Sequence, residues 1–150
     1  RGHDLREGLE VTLLRNLKVR NVLSYSGELV TLGVGLPEIR LILQKSEAGE
    51  LFVIDDGGIL FGTITLADMS EFAFDTELDY LITASDVAKR NPPVLAVDEG
   101  LERALTLMRE TGEDYLPVVE NHETMKFLGC VRQGQLMSAY NRALIENRRE

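Results

Sequence analysis

At 150 residues the chain can hold one ordinary domain or two very small ones, and its 44% hydrophobic content is enough for a buried core, which must be aliphatic because aromatics are 6% and tryptophan is absent. A formal net charge of −9 argues against a duplex-binding protein, whose affinity rests on neutralising phosphates with Lys and Arg. No window reaches the roughly 18 apolar residues of a membrane span, and the single cysteine, Cys130, excludes an internal disulfide and implies a reducing compartment.

The chain opens on Arg1 rather than Met, carries no secretory signal, and is therefore expected to be a piece of a longer protein. Residues 1–16 read as a linker. Lys18-Val19-Arg20-Asn21-Val22 follows, then a short apolar strand, Leu29-Val30-Thr31-Leu32. Gly33-Val34-Gly35 is not a phosphate loop, because the Lys-Ser/Thr that would follow is missing. Pro37 suits the first turn of a helix, and Ile39, Ile42 and Leu43 recur at helical spacing behind it. The strand Leu51-Phe52-Val53-Ile54 runs into Asp55-Asp56-Gly57-Gly58, a hairpin signal, and returns as Ile59-Leu60-Phe61-Gly62-Thr63-Ile64. A second helix is expected to start there. Between Glu71 and Tyr80, Asp75, Glu77 and Asp79 form an acidic run that lacks the glycine and terminal glutamate of a calcium loop and reads as a solvated face.

The same order then recurs. Ala84-Ser85-Asp86-Val87 resembles Lys18 to Val22, and Val94-Leu95-Ala96-Val97 resembles Leu29 to Leu32. Asp98 is placed to cap a helix carrying Leu101, Ala104, Leu105 and Met108, and Gly112 to end it. Tyr115-Leu116-Pro117-Val118-Val119 and Lys126-Phe127-Leu128-Gly129-Cys130-Val131 form the second hairpin, with Asn121-His122-Glu123-Thr124 as a longer, more polar turn. Cys130 in that apolar run reads as a small buried hydrophobe. A terminal helix bears Leu136, Met137, Tyr140 and Leu144 at helical spacing. Two copies of strand, helix, strand, strand, helix, each too small to bury its own faces well, predict a compact α+β arrangement of paired halves.

This duplicated pattern resembles the tandem CBS domain pair, or Bateman module, over about residues 17–140. Its most specific piece is Gly62-Thr63-Ile64-Thr65-Leu66-Ala67-Asp68, similar to the family's Gly-x-x-Thr/Ser-x-x-Asp at a strand-to-helix junction. The resemblance implies two β-α-β-β-α repeats packed as a pseudo-twofold pair, at 17–72 and 84–150, joined by a linker at 73–83. It implies a regulatory module and not an enzyme, and no nucleophile–base pairing is legible. The flanks Arg1-Gly2-His3-Asp4-Leu5-Arg6-Glu7-Gly8 and Tyr140-Asn141-Arg142-Ala143-Leu144 resemble the cytoplasmic tails of bacterial ClC chloride channels and transporters. That implies an upstream transmembrane ion-transport domain in the same chain, a place on the cytoplasmic side of the plasma membrane, and a homodimer, with no nucleic-acid partner.

The chemistry of the motif is simple. The Asp68 carboxylate can accept ribose hydroxyls, while the Thr65 hydroxyl and nearby N–H groups at a helix start favour a phosphate. The alternative is a plain capping pair. By resemblance, Asp68 faces Thr83 and Ala88, Pro93 and Val94 wall a base, and Asp114 and Tyr115 edge an adenine. The ligand implied is AMP, ADP or ATP, and the fold requires none. Against these stand helix capping for Thr83, strand entry for Pro93 and Val94, and a half-buried strand position for Tyr115. Asp114 suits an exocyclic amine yet repels phosphates. In the second repeat Arg132 and Gln135 stand where the first has Thr65 and Asp68, so that site reads as degenerate. His3 and His122 fall in loops without metal-ligand spacing. Two other readings stay open: a ligand-free dimerisation scaffold, and the regulatory tail of another transporter or enzyme.

Overall fold

The computed structural model describes residues 16–25, 27–72 and 76–149. These form two sheets and four α-helices, grouped in two compact units. One unit gathers residues 27–72, 76–92 and 124–127; the other gathers 16–25, 93–123 and 128–149. The compact units therefore cut across the sequence repeats: the opening segment of each repeat belongs to the unit that holds the other repeat's hairpin.

In the unit built on the first hairpin, β1 (Leu29–Thr31) lies parallel to β2 (Glu50–Ile54), with helix α1 (Leu36–Lys45) as the crossover. β3 (Leu60–Thr65) returns antiparallel to β2, and β4 (Lys89–Arg90) pairs antiparallel with β3. The Asp55–Gly58 turn forms as its sequence predicts. Asp55 Oδ1 accepts the N–H groups of Gly57 and Ile59 at 2.9 Å each, and Gly58 takes the left-handed φ of 81° that the turn requires. Pro37 sits in the first turn of α1, and Ile39 and Leu43 are fully buried against Leu51, Val53 and Ile64.

The four-residue helix α2 (Ala84–Val87) precedes β4. Gly62 lets that approach happen. A Cβ on Gly62 would lie 2.5 Å from the Lys89 carbonyl oxygen and 3.2 Å from Ala88 Cβ, so only glycine admits β4.

The segment after β3 departs from expectation. Instead of an α-helix it forms two 3₁₀ turns, Ser70–Phe72 and Thr76–Tyr80. Glu71, Asp75 and Asp79 recur at i+4, so a continuous helix would stack like charges along one face. Asp75 itself lies outside the described residues. Asp79 is not solvated as expected: its carboxylate meets Arg40 Nη1 at 2.7 Å, and Arg40 Nη2 donates to the Phe72 carbonyl at 2.6 Å. A helix cation 39 residues earlier in the chain thus holds the linker.

In the other unit, β5 (Leu95–Ala96) runs parallel to β6 (Tyr115–Val119), and β7 (Phe127–Arg132) lies beside β6. Ser24 makes a two-bond bridge with Cys130, at 2.9 and 2.8 Å. Gly129 permits it, since a Cβ there would collide with the Ser24 carbonyl. Ser24 and Gly129 thus repeat in miniature the meeting of β4 and Gly62.

Helix α3 (Leu101–Thr111) buries Leu101, Ala104, Leu107 and Met108, and ends at Gly112 with φ 74° and its N–H on the Met108 carbonyl. Gly100, not Asp98, is its N-cap. Asp98 instead pairs with Arg20 at the surface, while Glu99 organises the turn. Glu99 Oε1 accepts the Ala96 N–H at 2.6 Å and pairs with His122 Nε2 at 2.7 Å. Cys130 is fully buried, as read from its apolar run. The terminal helix α4 (Gln133–Arg149) buries Leu136 while Met137 is 36% exposed, so the expected apolar stripe is divided between core and surface.

Candidate functional site

Thr65 is the last residue of β3, and a turn at 66–69 follows it. The Thr65 N–H donates to Asp68 Oδ2 at 2.9 Å, and the Thr65 hydroxyl donates to the same oxygen at 3.0 Å. Asp68 returns its own N–H to Thr65 Oγ1 at 3.3 Å. This reciprocal box is the capping alternative realised without an α-helix behind it. Two consequences follow. The Thr65 hydroxyl proton is committed to Asp68, and a three-residue 3₁₀ turn supplies no helix dipole, so the expected phosphate preference of this junction has lost its hydroxyl donor and its dipole. The ribose half survives. Asp68 is only half-buried, and among the described residues its Oδ1 has no bond to the protein, which leaves one carboxylate oxygen to accept hydroxyls.

The same unit holds a second box of the same form. Thr83 at the start of α2 donates its N–H to Asp86 Oδ2 at 2.9 Å and its hydroxyl to that oxygen at 3.2 Å. Thr83 is thus the helix cap of its alternative reading. Asp86, which the sequence expectations passed over, was marked by the same Thr-x-x-Asp spacing as Thr65 and Asp68. β3 pairs Thr63 with Lys89, and that register continued by two residues sets Thr65 level with Val87. The structure therefore brings Thr65 and Asp68 to the same end of β3 as Thr83, Asp86 and Ala88. Ala88 closes α2 with its N–H on the Ala84 carbonyl at 2.9 Å.

The remaining predicted positions lie in the other unit. Pro93 and Val94 are half-buried and lead directly into β5, the strand-entry role foreseen as their alternative. Asp114 is exposed, and its carbonyl accepts the Gln133 N–H at 2.8 Å, tying β6 to the start of α4. Tyr115 is a buried residue of β6. Its side chain is 7% exposed, and the Arg132 guanidinium lies 4.9 Å from its ring centroid, so the ring offers little free face to a base.

In this second unit the motif persists as geometry after its chemistry has changed. The Arg132 N–H donates to Gln135 Oε1 at 3.4 Å, as Thr65 does to Asp68, and the Lys18 N–H donates to Asn21 Oδ1 at 2.9 Å, as Thr83 does to Asp86. Four sites, two per repeat, thus keep a side-chain acceptor three residues ahead reaching back to a backbone N–H. Among the described residues no group of three His, Cys, Asp or Glu side chains could hold a metal ion, and no helix is long and apolar enough to cross a membrane. The Arg1–Gly8 flank and His3 lie outside the described residues.

Comparisons with known proteins agree with this geometry. Residues 84–142 match the family model of the CBS domain. Comparison with curated protein sequences gives no match. Among solved structures, a CBS domain-containing protein from Bacillus anthracis superposes with a TM-score of 0.70 at 21% identity, covering 86% of this chain and 96% of that one. CBSX2, solved in complex with AMP, is similar at 25% identity and TM-score 0.70, over 85% of this chain and 98% of its own. The CBS domain pair of protein MJ0100, in complex with 5′-methylthioadenosine and S-adenosyl-L-methionine, is similar at 22% identity and TM-score 0.65, over 83% of this chain and 96% of its own.

Proposed function

We propose that this chain, which has the fold of a CBS domain pair and a CBS domain at residues 84–142, is a non-enzymatic regulatory module that senses an adenosine-containing ligand through Asp68. The free Oδ1 of Asp68 carries the reading: a carboxylate held rigid by Thr65 presents one oxygen to ribose hydroxyls at no cost in reorganisation. The two relatives bound to AMP and to methylthioadenosine with S-adenosylmethionine support an adenosyl ligand rather than a particular phosphate chain. Because the Thr65 hydroxyl is committed, AMP, ADP, ATP and adenosine are expected to act alike at this mouth.

The module's host is a ClC-type chloride channel or transporter, whose upstream membrane domain places it on the cytoplasmic side of the plasma membrane. The flanking sequences support that host. Ligand binding shifts the host's equilibrium by no more than its differential affinity for the two states. Association into a homodimer is supported by Met137 and Ile145 on α4, which are 36% and 53% exposed.

Thermal melts with the four adenine ligands, on the wild type and on Asp68→Ala, test the reading. A ligand at 100 times its dissociation constant adds about 2.7 kcal/mol, worth about 5–11 °C in a chain of this length. The ligand-induced shift, not the melting temperature itself, is the readout, since Asp68→Ala also opens a cap. Loss of the shift in Asp68→Ala with retention in Asp86→Ala supports the sensor. No shift with any adenine ligand leaves the ligand-free scaffold as the function.

A further inference from the structure

We infer that Arg40 is a positioning residue for the Asp68 site, one whose guanidinium couples ligand binding there to the hold of the linker on α1, an inference that rests on the adenosine reading at Asp68. All the residues concerned lie in the unit built on the first hairpin. Arg40 Nη2 donates to the Phe72 carbonyl at 2.6 Å, and Phe72 follows Asp68 by four residues. Between them the Met69, Ser70 and Phe72 N–H groups bond to the Leu66, Ala67 and Met69 carbonyls at 3.2, 3.2 and 3.0 Å, so the Asp68 turn and Phe72 form one locally bonded segment. On the other side Arg40 Nη1 meets Asp79 Oδ1 at 2.7 Å, and Asp79 precedes Thr83 by four residues. There the Leu81 and Ile82 N–H groups share the Leu78 carbonyl at 3.0 and 3.1 Å. One planar fork thus clasps the segment that leaves the Thr65–Asp68 box and the segment that enters the Thr83–Asp86 box.

The clasp matters because close packing does not fix the Asp68 turn. A cavity of about 200 Å³ separates that turn from α1, lined by Arg40, Leu43, Gln44, Leu66, Met69 and Ser70. Met69 is buried, but Leu66 at the start of the turn is 56% exposed. A turn with a void behind it can tilt, and tilting swings the free Oδ1 of Asp68, whose aim at ribose hydroxyls must hold to about 0.5 Å. The bond from Arg40 to Phe72 anchors the far end of the turn against that motion. Stability alone does not account for an arginine here. Among the described residues its Nε is buried without a partner, a penalty that an apolar side chain of similar size would avoid. Coupling is reciprocal: by whatever factor the clasp raises adenosine affinity, adenosine tightens the clasp, and with it the 3₁₀ turn Thr76–Tyr80 and the residues after it.

Calorimetric titration of the whole chain with adenosine, paired with hydrogen exchange at Leu81 and Ile82, tests this. Arg40→Met is expected to weaken adenosine at least about fivefold, the lower end of typical coupling between sites. Asp79→Asn, which keeps the side-chain shape and cuts the ion pair from the other side, is expected to act in the same direction. Saturating adenosine is expected to slow exchange at Leu81 and Ile82 in the wild type and to leave it unchanged in Arg40→Met. Asp55→Ala is the control for lost stability: it removes two hydrogen bonds from the β2–β3 turn and is expected to leave adenosine affinity as it was. Adenosine failing to bind the wild type sinks the Asp68 reading and this inference with it. Binding that Asp68→Ala abolishes but Arg40→Met and Asp79→Asn leave unchanged overturns the coupling alone. So does wild-type exchange at Leu81 and Ile82 that is indifferent to adenosine, or a loss of affinity in Asp55→Ala equal to that in Arg40→Met.

Discussion

Replacing Gly62 with alanine is expected to destabilise the protein although the change adds a single methyl group to a strand. The added Cβ would sit 2.5 Å from the Lys89 carbonyl oxygen, a contact that real Cβ atoms do not make, and 3.2 Å from Ala88 Cβ. The obstructing atom is backbone, in register with β3 through the Gly62–Arg90 and Thr63–Lys89 pairs, so no side-chain rotation relieves it. β4 must move away, which stretches two ladder positions and the Arg90 side chain that donates to the Phe61 carbonyl at 3.0 Å. Overpacking of this kind costs about 1–3 kcal/mol. In a chain of this length that is a fall of about 2–12 °C in melting temperature. Gly134→Ala is the matched control. It adds the same methyl group in the first turn of α4, where nothing lies within 4 Å, and alanine's higher helix propensity should make it neutral or stabilising by up to about 1 kcal/mol. Urea denaturation followed by circular dichroism reads both. The reasoning is refuted by a Gly62→Ala variant within about 0.5 kcal/mol of wild type, or by equal losses in the two variants.

Two further outcomes follow from the contacts. Arg40→Met removes the bonds to Asp79 and to the Phe72 carbonyl and strands a carboxylate that is 15% exposed; a loss of about 1–3 kcal/mol is expected, discounted for the 23% exposure of Arg40 itself. Hydrogen exchange at Leu81 and Ile82, whose N–H groups bond to the Leu78 carbonyl, should quicken at least about tenfold if 1.4 kcal/mol or more of local stability is lost; unchanged protection would show that the linker holds without the arginine. Asp55→Ala deletes two charged hydrogen bonds from the β2–β3 turn, to Gly57 and Ile59, and should cost about 1–3 kcal/mol in the same urea assay, with a loss below about 0.3 kcal/mol counting against the turn's role.

Features governed by residues close in sequence were legible before the fold. The Asp55–Gly58 turn, the stop at Gly112, Pro37 in the first turn of α1 and the burial of Cys130 each follow from local chemistry, and each formed as expected. What escaped depended on distance or on competition. Arg40 and Asp79 are 39 residues apart, so an acidic run looked solvated when one of its members was paired. Asp98 was a sound cap on propensity, but Glu99 reached back to the Ala96 N–H and Gly100 took the cap position. Where a second helix of the first repeat was expected, the described residues form the 3₁₀ turns Ser70–Phe72 and Thr76–Tyr80, the second of them tied to α1 through Asp79 and Arg40. At the candidate site the spacing of Thr65 and Asp68 was legible, and the same spacing at Thr83 and Asp86 was equally available. The destination of the Thr65 proton was not, because a hydroxyl that can cap or bind declares its choice only in geometry.

The two hairpins show how a duplicated scaffold can diverge in chemistry while its backbone stays fixed. Gly62 and Gly129 both admit an approaching strand segment, and the residues three and six positions after each form a backbone-to-side-chain box. Those constraints are steric and tolerate little change. The box side chains need only an acceptor at the last position, and either Asp or Gln supplies one. Selection on the box geometry alone therefore cannot hold the charge. At Thr65 and Asp68 the charge is negative, with an oxygen to spare for hydroxyls; at Arg132 and Gln135 it is positive. If both sets of side chains served only to cap, exchanging them between hairpins would alter stability slightly and binding not at all. If the readings above hold, Asp68→Gln should keep the box and most of the stability yet abolish the adenosine response, because a carboxamide replaces the free carboxylate oxygen with a neutral group.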